Sequence, residues 1–385
     1  GAARSLGVAA TSALVGPPAI VSLSGAGRAR YAVVWVSGQE LHAVKLDVRG
    51  GVLARSRWFG GNLRPPSRVR MPKRRPGAKA PPTSKERARP LLLRPRVWAR
   101  GGELQVRWFG GRWLSDDHGG SAYYGHVVRW GSNTPAEPKV LSRPRVWDAL
   151  GPSTVDRAGK LATVVAHHDP NGGPWTLRLE REGMDGATAL TSEAAGPLRS
   201  ALMALPRNGL LVAWQSPSRG AVVVGRVDSQ GKVVRRGFAN PIAPGDSAVS
   251  LARRGERGRL AYVARRRGAT RIIVADAAGG KDLGALSKPQ PIQGKVLAET
   301  RAQYEDAVIA PWPGGFLLVS KASTQGARLM VRSFDAKGAR LGPARPLSAR
   351  LPRIDFVTAA TVGGQVLVAF TACKGASICD PAGVN

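Results

Sequence analysis

Apolar positions in this chain come in short bursts stopped by Gly, Pro or an Asp-x-x-Gly step, and the spacing of those stops leaves little room for a long helix. The clearest stretch is residues 210–234, LLVAWQSPSRGAVVVGRVDSQGKVV. It reads as an apolar strand ending in Trp214, a loop, an alternating strand ending at Asp228, a tight turn and a third strand from Lys232. Weaker copies of the same unit run from one end of the chain to the other.

Taking the apolar strand as an anchor, seven copies align. They begin at Tyr31, Leu104, Leu161, Leu210, Leu260, Phe316 and Val366, about 50 to 57 residues apart except for a first gap of 73. Several carry the downstream turn, at Asp47 to Gly50, Asp228 to Gly231, Asp276 to Gly279 and Asp335 to Gly338. Asp at the first turn position bonds the backbone ahead of it, and Gly supplies the positive φ that returns the chain to the sheet. A further apolar segment precedes each anchor, for example 19–23, 247–251 and 356–360, which makes four strands per repeat.

Four-stranded antiparallel sheets at this period predict an all-β fold, a seven-bladed β-propeller. The pattern of apolar-Trp, loop, Arg-Val-Asp-x-x-Gly resembles the divergent propeller repeats common in exported bacterial proteins, over nearly the whole chain. The resemblance implies the fold and an exported protein, and it is nearly silent on activity. Blades are expected at about 17–62, 90–142, 143–195, 197–242, 244–290 and 300–348, with a seventh at 352–385 completed by 1–16. An open seventh blade would leave a bare sheet edge. The apolar stretch 7–14 is expected to close the ring.

Composition changes the picture through charge. The 385 residues hold 58 Lys+Arg against 25 Asp+Glu, a net +33 that attracts polyanions: nucleic acid, acidic glycan, anionic lipid or an acidic protein. One segment concentrates it. Between residues 64 and 89 lie Arg64, Arg68, Arg70, Lys73, Arg74, Arg75, Lys79, Lys85, Arg87 and Arg89 against Glu86 alone, a net +9 in a Pro-rich loop without periodicity.

Strand parity puts the second-to-third loops and the links between blades on one face of the ring. The basic insertion and the loops at 110–121 and 167–174 all fall there, and function in repeat proteins collects on such a face. Two identical pentapeptides, Arg57-Trp58-Phe59-Gly60-Gly61 and Arg107-Trp108-Phe109-Gly110-Gly111, end strands on the same side, with Arg112 and Trp113 beyond the second. Basic residues interleaved with aromatics suit a surface that stacks on bases or sugar rings while pairing with anions. The competing reading packs Trp58 and Trp108 between blades. A second repeated pentapeptide, Arg94 to Trp98 and Arg143 to Trp147, is expected on innermost strands, its arginines along the channel.

Asp116-Asp117-His118 and His167-His168-Asp169 are the candidates for a metal or acid–base role. Neighbours in a strand point to opposite sides, so both read as turn residues, and no catalytic centre, metal or cofactor is expected. Cys373 and Cys379 face each other if their flanking runs form a hairpin, giving a disulfide and an oxidising compartment; two unlinked thiols are the other reading. The uncharged run at 5–27 carries Pro17-Pro18 and reads as strands, not a membrane span. The chain begins with Gly1, so a signal peptide is expected to have been removed. Three functions are left: a non-enzymatic propeller binding a polyanion or acidic partner through the elaborated face, an enzyme acting on an anionic glycan, and a structural subunit of a large assembly.

Overall fold

The structure is a computed structural model and describes residues 18–23, 28–37, 40–59, 90–92, 95–100, 102–115, 120–130, 139–140, 145–146, 148–167, 174–184, 186–193, 199–205, 209–239, 249–254, 257–266, 269–277, 283–285, 290–292, 294–300, 307–322, 327–348, 351 and 353–373.

These residues form an all-β propeller. The first blade is β1 (Ala19–Ser22), β2 (Tyr31–Ser37), β3 (Glu40–Leu46) and β4 (Val52–Phe59), paired in that order. The second sheet has six strands: β5 (Pro90–Leu92), β6 (Arg96–Arg100), β7 (Glu103–Ser115), β8 (Gly120–Trp130), β9 (Lys139–Val140) and β10 (Arg145–Val146). The third is β11 (Asp148–Val155), β12 (Leu161–His167), β13 (Trp175–Arg181) and β14 (Thr188–Glu193). The fourth is β15 (Ser200–Ala204), β16 (Leu210–Ser216), β17 (Ala221–Val227) and β18 (Val233–Ala239). The fifth is β19 (Val249–Arg254), β20 (Arg257–Arg266), β21 (Ala269–Asp276) and, after two short strands, β24 (Gly294–Thr300). Those short strands, β22 (Gly284–Ala285) and β23 (Gln290–Pro291), pair instead with β18 and cover the outer edge of the fourth blade. The sixth is β25 (Ala307–Trp312), β26 (Gly315–Ala322), β27 (Arg328–Asp335) and β28 (Arg345–Pro346). A two-stranded sheet, β29 (Arg353–Val362) and β30 (Gln365–Cys373), completes the list.

Each of the seven anchors lies in the second strand of a sheet. The expected count of seven four-stranded blades is nevertheless corrected to six, because the last repeat contributes only the β29–β30 hairpin among the described residues. That hairpin packs on β25 at one side and on β1 at the other. Ser22 donates to the Thr361 carbonyl at 2.8 Å, and Tyr31 to that of Gln365 at 3.0 Å. The closing strand expected at 7–14, and Cys379, lie outside the described residues, as does the Cys373 side chain at the end of β30.

The core lies between sheets. In β16 all seven residues are buried: Leu210, Val212 and Trp214 face the third blade, while Leu211 and Ala213 face the fifth. A central strand covered on both faces therefore reads as a continuous apolar run and not as an alternation. The Trp214 ring lies over Gly225, where an added Cβ would stand 3.2 Å from it.

Turn chemistry and arginine tie the blades together at one end of the ring. Asp47, Asp228 and Asp335 each accept from backbone N–H groups ahead of them at 2.7–2.9 Å, and Gly50, Gly231 and Gly338 follow at φ 79°, 82° and 87°. Arg181 pairs with the buried Asp156 of its own blade and donates to the Asp228 and Ser229 carbonyls of the next. Arg259 pairs with Asp276 at 2.7 Å and reaches the Ala336 carbonyl of the sixth blade at 3.4 Å. Arg100 meets Glu182 at 3.0 Å between the second and third blades. Part of the arginine excess is thus spent on backbone carbonyls and acids at blade junctions.

The repeated pentapeptide divides. Arg96 to Trp98 lies in the innermost strand β6, as expected, but Arg145-Val146 forms β10 on the edge of β8. The innermost strand of the third blade is β11, so that copy of the motif does not line the channel.

Candidate functional site

Strand direction sends β4 toward the face that carries the second-to-third loops, and β5 begins on the same face. The basic residues Arg68, Arg70, Lys73, Arg74, Arg75 and Lys79 lie outside the described residues, but both ends of their segment are fixed there. The downstream end is held by pairing: Pro90, Leu91 and Leu92 stand opposite Arg112, Gly111 and Gly110 of β7.

This pairing belongs to an outgrowth. β7 runs 13 residues where the other second strands run 7 to 10. The lower half of the β7–β8 hairpin is flanked by β6 and β9 and forms the blade; its upper half is flanked by β5 and β10. At about 3.3 Å per residue, Gly110 to Ser115 adds roughly 17 Å of strand beyond the blade. Arg112 and Trp113 lie in this upper half, opposite Ala122 and Ser121, and their side chains are outside the described residues.

The two Arg-Trp pentapeptides do not present their indoles. Trp108 is 0% exposed and Trp58 7%; both join Trp130 in the core between the first and second blades. Trp58 meets Trp130 edge to face at 6.0 Å, and Lys45 lies 4.6 Å over the Trp130 ring. Burial lowers the Lys45 pKa, against the raising influence of Glu103. Stacking of a ligand on Trp58 or Trp108 is therefore excluded by packing: each ring sits on the strand face that meets the neighbouring blade. Arg107 is partly buried and 3.8 Å from Glu180 of the third blade, whereas Arg57 is exposed.

An aromatic and basic row exists one register away. Trp35, His42 and Arg57 are direct cross-strand neighbours on β2, β3 and β4, at the loop-bearing end of the first blade. Trp35 is half-buried, and its ring stacks on His42 with centroids 5.5 Å apart and planes 17° from parallel. His42 Nε2 lies 3.4 Å from Glu40, and both side chains are open to solvent, 28% and 37% exposed. The row stands two residues before the end of β4, where the basic segment departs. Trp35 and His42 were not candidates from sequence; once β2–β4 are aligned as hairpins, the register brings them beside Arg57.

His167 is half-buried at the end of β12, and Asp116, Asp117, His118, His168 and Asp169 lie outside the described residues. Among the described residues no three His, Cys, Asp or Glu side chains gather as a metal site. No helix among them is long and apolar enough to cross a membrane.

No protein-family model matches the chain, and no curated protein matches it. Among solved structures it is similar to a Trypanosoma rangeli sialidase in complex with the inhibitor DANA, with a TM-score of 0.48, 10% identity, and coverage of 81% of this chain and 53% of that one. It is similar also to the SapL1 lectin in complex with alpha methyl fucoside (0.42, 11%, 87% and 96%). A third is the β-propeller domain of the Trilobed protease from Pyrococcus furiosus, which has an open velcro topology (0.43, 12%, 73% and 78%). The chain spans about half the length of the sialidase chain. At these scores and identities, neither ligand nor activity passes from those proteins to this one.

Proposed function

We propose that this chain is a non-enzymatic binding propeller that recognises a polyanion, nucleic acid or acidic glycan, through its elaborated face. The observation that carries the reading is the placing of the basic segment's two ends. One leaves β4 beside the Trp35–His42–Arg57 row, and the other is paired to the extended β7–β8 hairpin that carries Arg112 and Trp113. In this reading Arg68, Arg70, Lys73, Arg74, Arg75 and Lys79 supply most of the charge, Arg57 and Arg112 supply charge from the sheet, and Arg107 supports the hairpin through Glu180. Trp35 and Trp113 supply stacking, in the place that Trp58 and Trp108 cannot fill.

Binding to heparin and to DNA, measured over a salt series, tests it. Charge contacts release counterions, so log affinity falls with log salt by roughly 0.9 per phosphate neutralised on duplex DNA. Replacing residues 64–89 with a short neutral linker is expected to weaken binding and flatten that slope by several units. Trp35→Ala is expected to weaken binding with the slope unchanged, because stacking is not electrostatic. Unchanged affinity for both polymers after loop replacement would overturn the reading, and the glycan-directed enzyme or assembly subunit would take its place.

A further inference from the structure

The sixth blade presents one face to the fifth. On β26 that face carries Phe316, Leu318, Ser320 and Ala322; on β27, their cross-strand partners Phe334, Arg332, Met330 and Arg328. Phe316, Leu318 and Phe334 pack with Val263, Ile272 and Val274 of the fifth blade in the core between the two sheets. Two arginines and a serine are thus set on an apolar interface.

Their polar atoms are the anomaly. Ser320 is 0% exposed, and its hydroxyl has no hydrogen-bond partner among the described residues. Nε and Nη1 of Arg332 and Nε of Arg328 are buried and equally without one. Register sets Ser320 opposite Met330, between the two arginines, so each guanidinium stem starts from a position diagonal to the serine on the same face. On the same interface Arg259 packs over the Phe316 ring and pairs with Asp276 at 2.7 Å, although its Nε is likewise buried without a partner. Neither Arg328 nor Arg332 forms an ion pair with a described residue.

A buried hydroxyl alone would be satisfied by an ordered water. Two guanidiniums beside it change the requirement, because buried charges persist when something of opposite sign meets them. An acceptor that takes several N–H bonds at once and also accepts from a serine hydroxyl is an oxyanion. Both arginines are half-buried, so part of each side chain reaches solvent at the edge of the interface.

We propose that the interface between the fifth and sixth blades binds a sulfate or phosphate group, held by Arg328, Arg332 and Ser320. This site is separate from the first and second blades and does not depend on the function proposed above. A ligand that binds only the native state raises the melting temperature along a saturation curve. Inorganic phosphate and inorganic sulfate are titrated against sodium chloride of equal ionic strength, by thermal unfolding and by calorimetry. A saturable rise with either oxyanion and not with chloride is expected. Arg332→Gln is expected to weaken binding about tenfold or more, as loss of a charge-assisted bond does. Ser320→Ala is expected to fold as the parent does and to weaken binding several-fold, which keeps the test decisive if the Arg332 variant does not accumulate. Arg157→Gln, at an exposed turn of the third blade, is the control and should change nothing. A sulfated disaccharide that binds tenfold more tightly than inorganic sulfate would show the group arriving on a chain; equal affinity would show a free ion. Stabilisation by chloride equal to that by phosphate and sulfate, or an unaltered response in both Arg332→Gln and Ser320→Ala, overturns the site.

Discussion

Arg181→Met is expected to be among the most costly single changes at the turn-bearing end of the ring. The Arg181 side chain is 4% exposed and that of Asp156 0%; Nε and Nη2 of the arginine meet the same Asp156 oxygen, while Nη1 donates across the blade junction. The other Asp156 oxygen accepts from the Lys160 backbone at 2.9 Å and holds the turn. Removing the guanidinium leaves that carboxylate buried against one N–H group, takes the arginine's bond from the Ser229 carbonyl and leaves the Asp228 carbonyl with the Gly231 N–H alone. Loss of one partner of a buried pair costs about 3–5 kcal/mol. Unfolding entropy of about 2.1 cal/mol/K per residue converts this to a fall of roughly 4–6 °C for a chain of this length unfolding as one unit. Thermal and urea unfolding followed by fluorescence of the ten tryptophans measures it. Asp156→Asn in the Arg181→Met background should restore part of the loss, because the unpaired charge is gone, so the double mutant is more stable than the two single effects added. Additive losses, or an Arg181→Met protein within about 0.5 kcal/mol of the parent, the usual range for a surface substitution, would refute the reasoning.

Two other outcomes are expected. Gly315→Ala should fail to accumulate as folded protein, since at φ +151° its Cβ would stand 2.0 Å from the Phe334 carbonyl oxygen; Gly363→Ala, at φ +55° in open space, should cost only about 1–2 kcal/mol in chemical denaturation. Acid should destabilise the fold below the ordinary carboxylate range. The Ala339 N–H holds the Asp335 carboxyl down, and the Leu161 N–H followed by Arg100 does so for Glu182. A depressed folded pKa gives stability that is present above the unfolded value and lost as pH falls through the folded one. Urea midpoints between pH 6 and pH 2 should therefore fall less steeply for Asp335→Asn with Glu182→Gln than for the parent, and parallel curves would exclude these two groups as the cause.

What could be read from the sequence was local. Strand 210–216 announced itself by apolar content, and the Asp228 and Asp335 turns by a side chain that bonds its own backbone, with no knowledge of neighbours. The tryptophans show where this stops. Trp35, Trp58 and Trp108 all sit near strand ends among similar residues, yet only Trp35 is on a strand face that reaches solvent at the loop-bearing end. Which face meets a neighbouring blade is decided by packing between sheets distant in sequence. Identical copies of Arg-Pro-Arg-Val-Trp make the same point, one in an innermost strand and the other on the edge of β8, because the partner on offer differs. Nor does a count of arginines tell which are consumed. Arg181 and Arg259 each direct a donor to the adjoining blade, whereas Nε of Arg328 and Nε and Nη1 of Arg332 meet no acceptor among the described residues.

The position of the β29–β30 hairpin sets a timetable for the chain. Tyr31, Val33, Val44 and Leu46 find their apolar cover in Ala360, Val362, Leu367 and Ala369, and the bond from Ser22 to Thr361 spans 339 residues. At synthesis rates of about 5–20 residues per second, the first blade waits roughly 17 to 70 seconds for that cover to emerge from the ribosome. Through that interval the nascent chain carries an exposed apolar sheet face, and a chain cut before Arg353 leaves it without that cover. A defect in β29 or β30 should therefore be felt first in the first blade, more than 300 residues away along the chain.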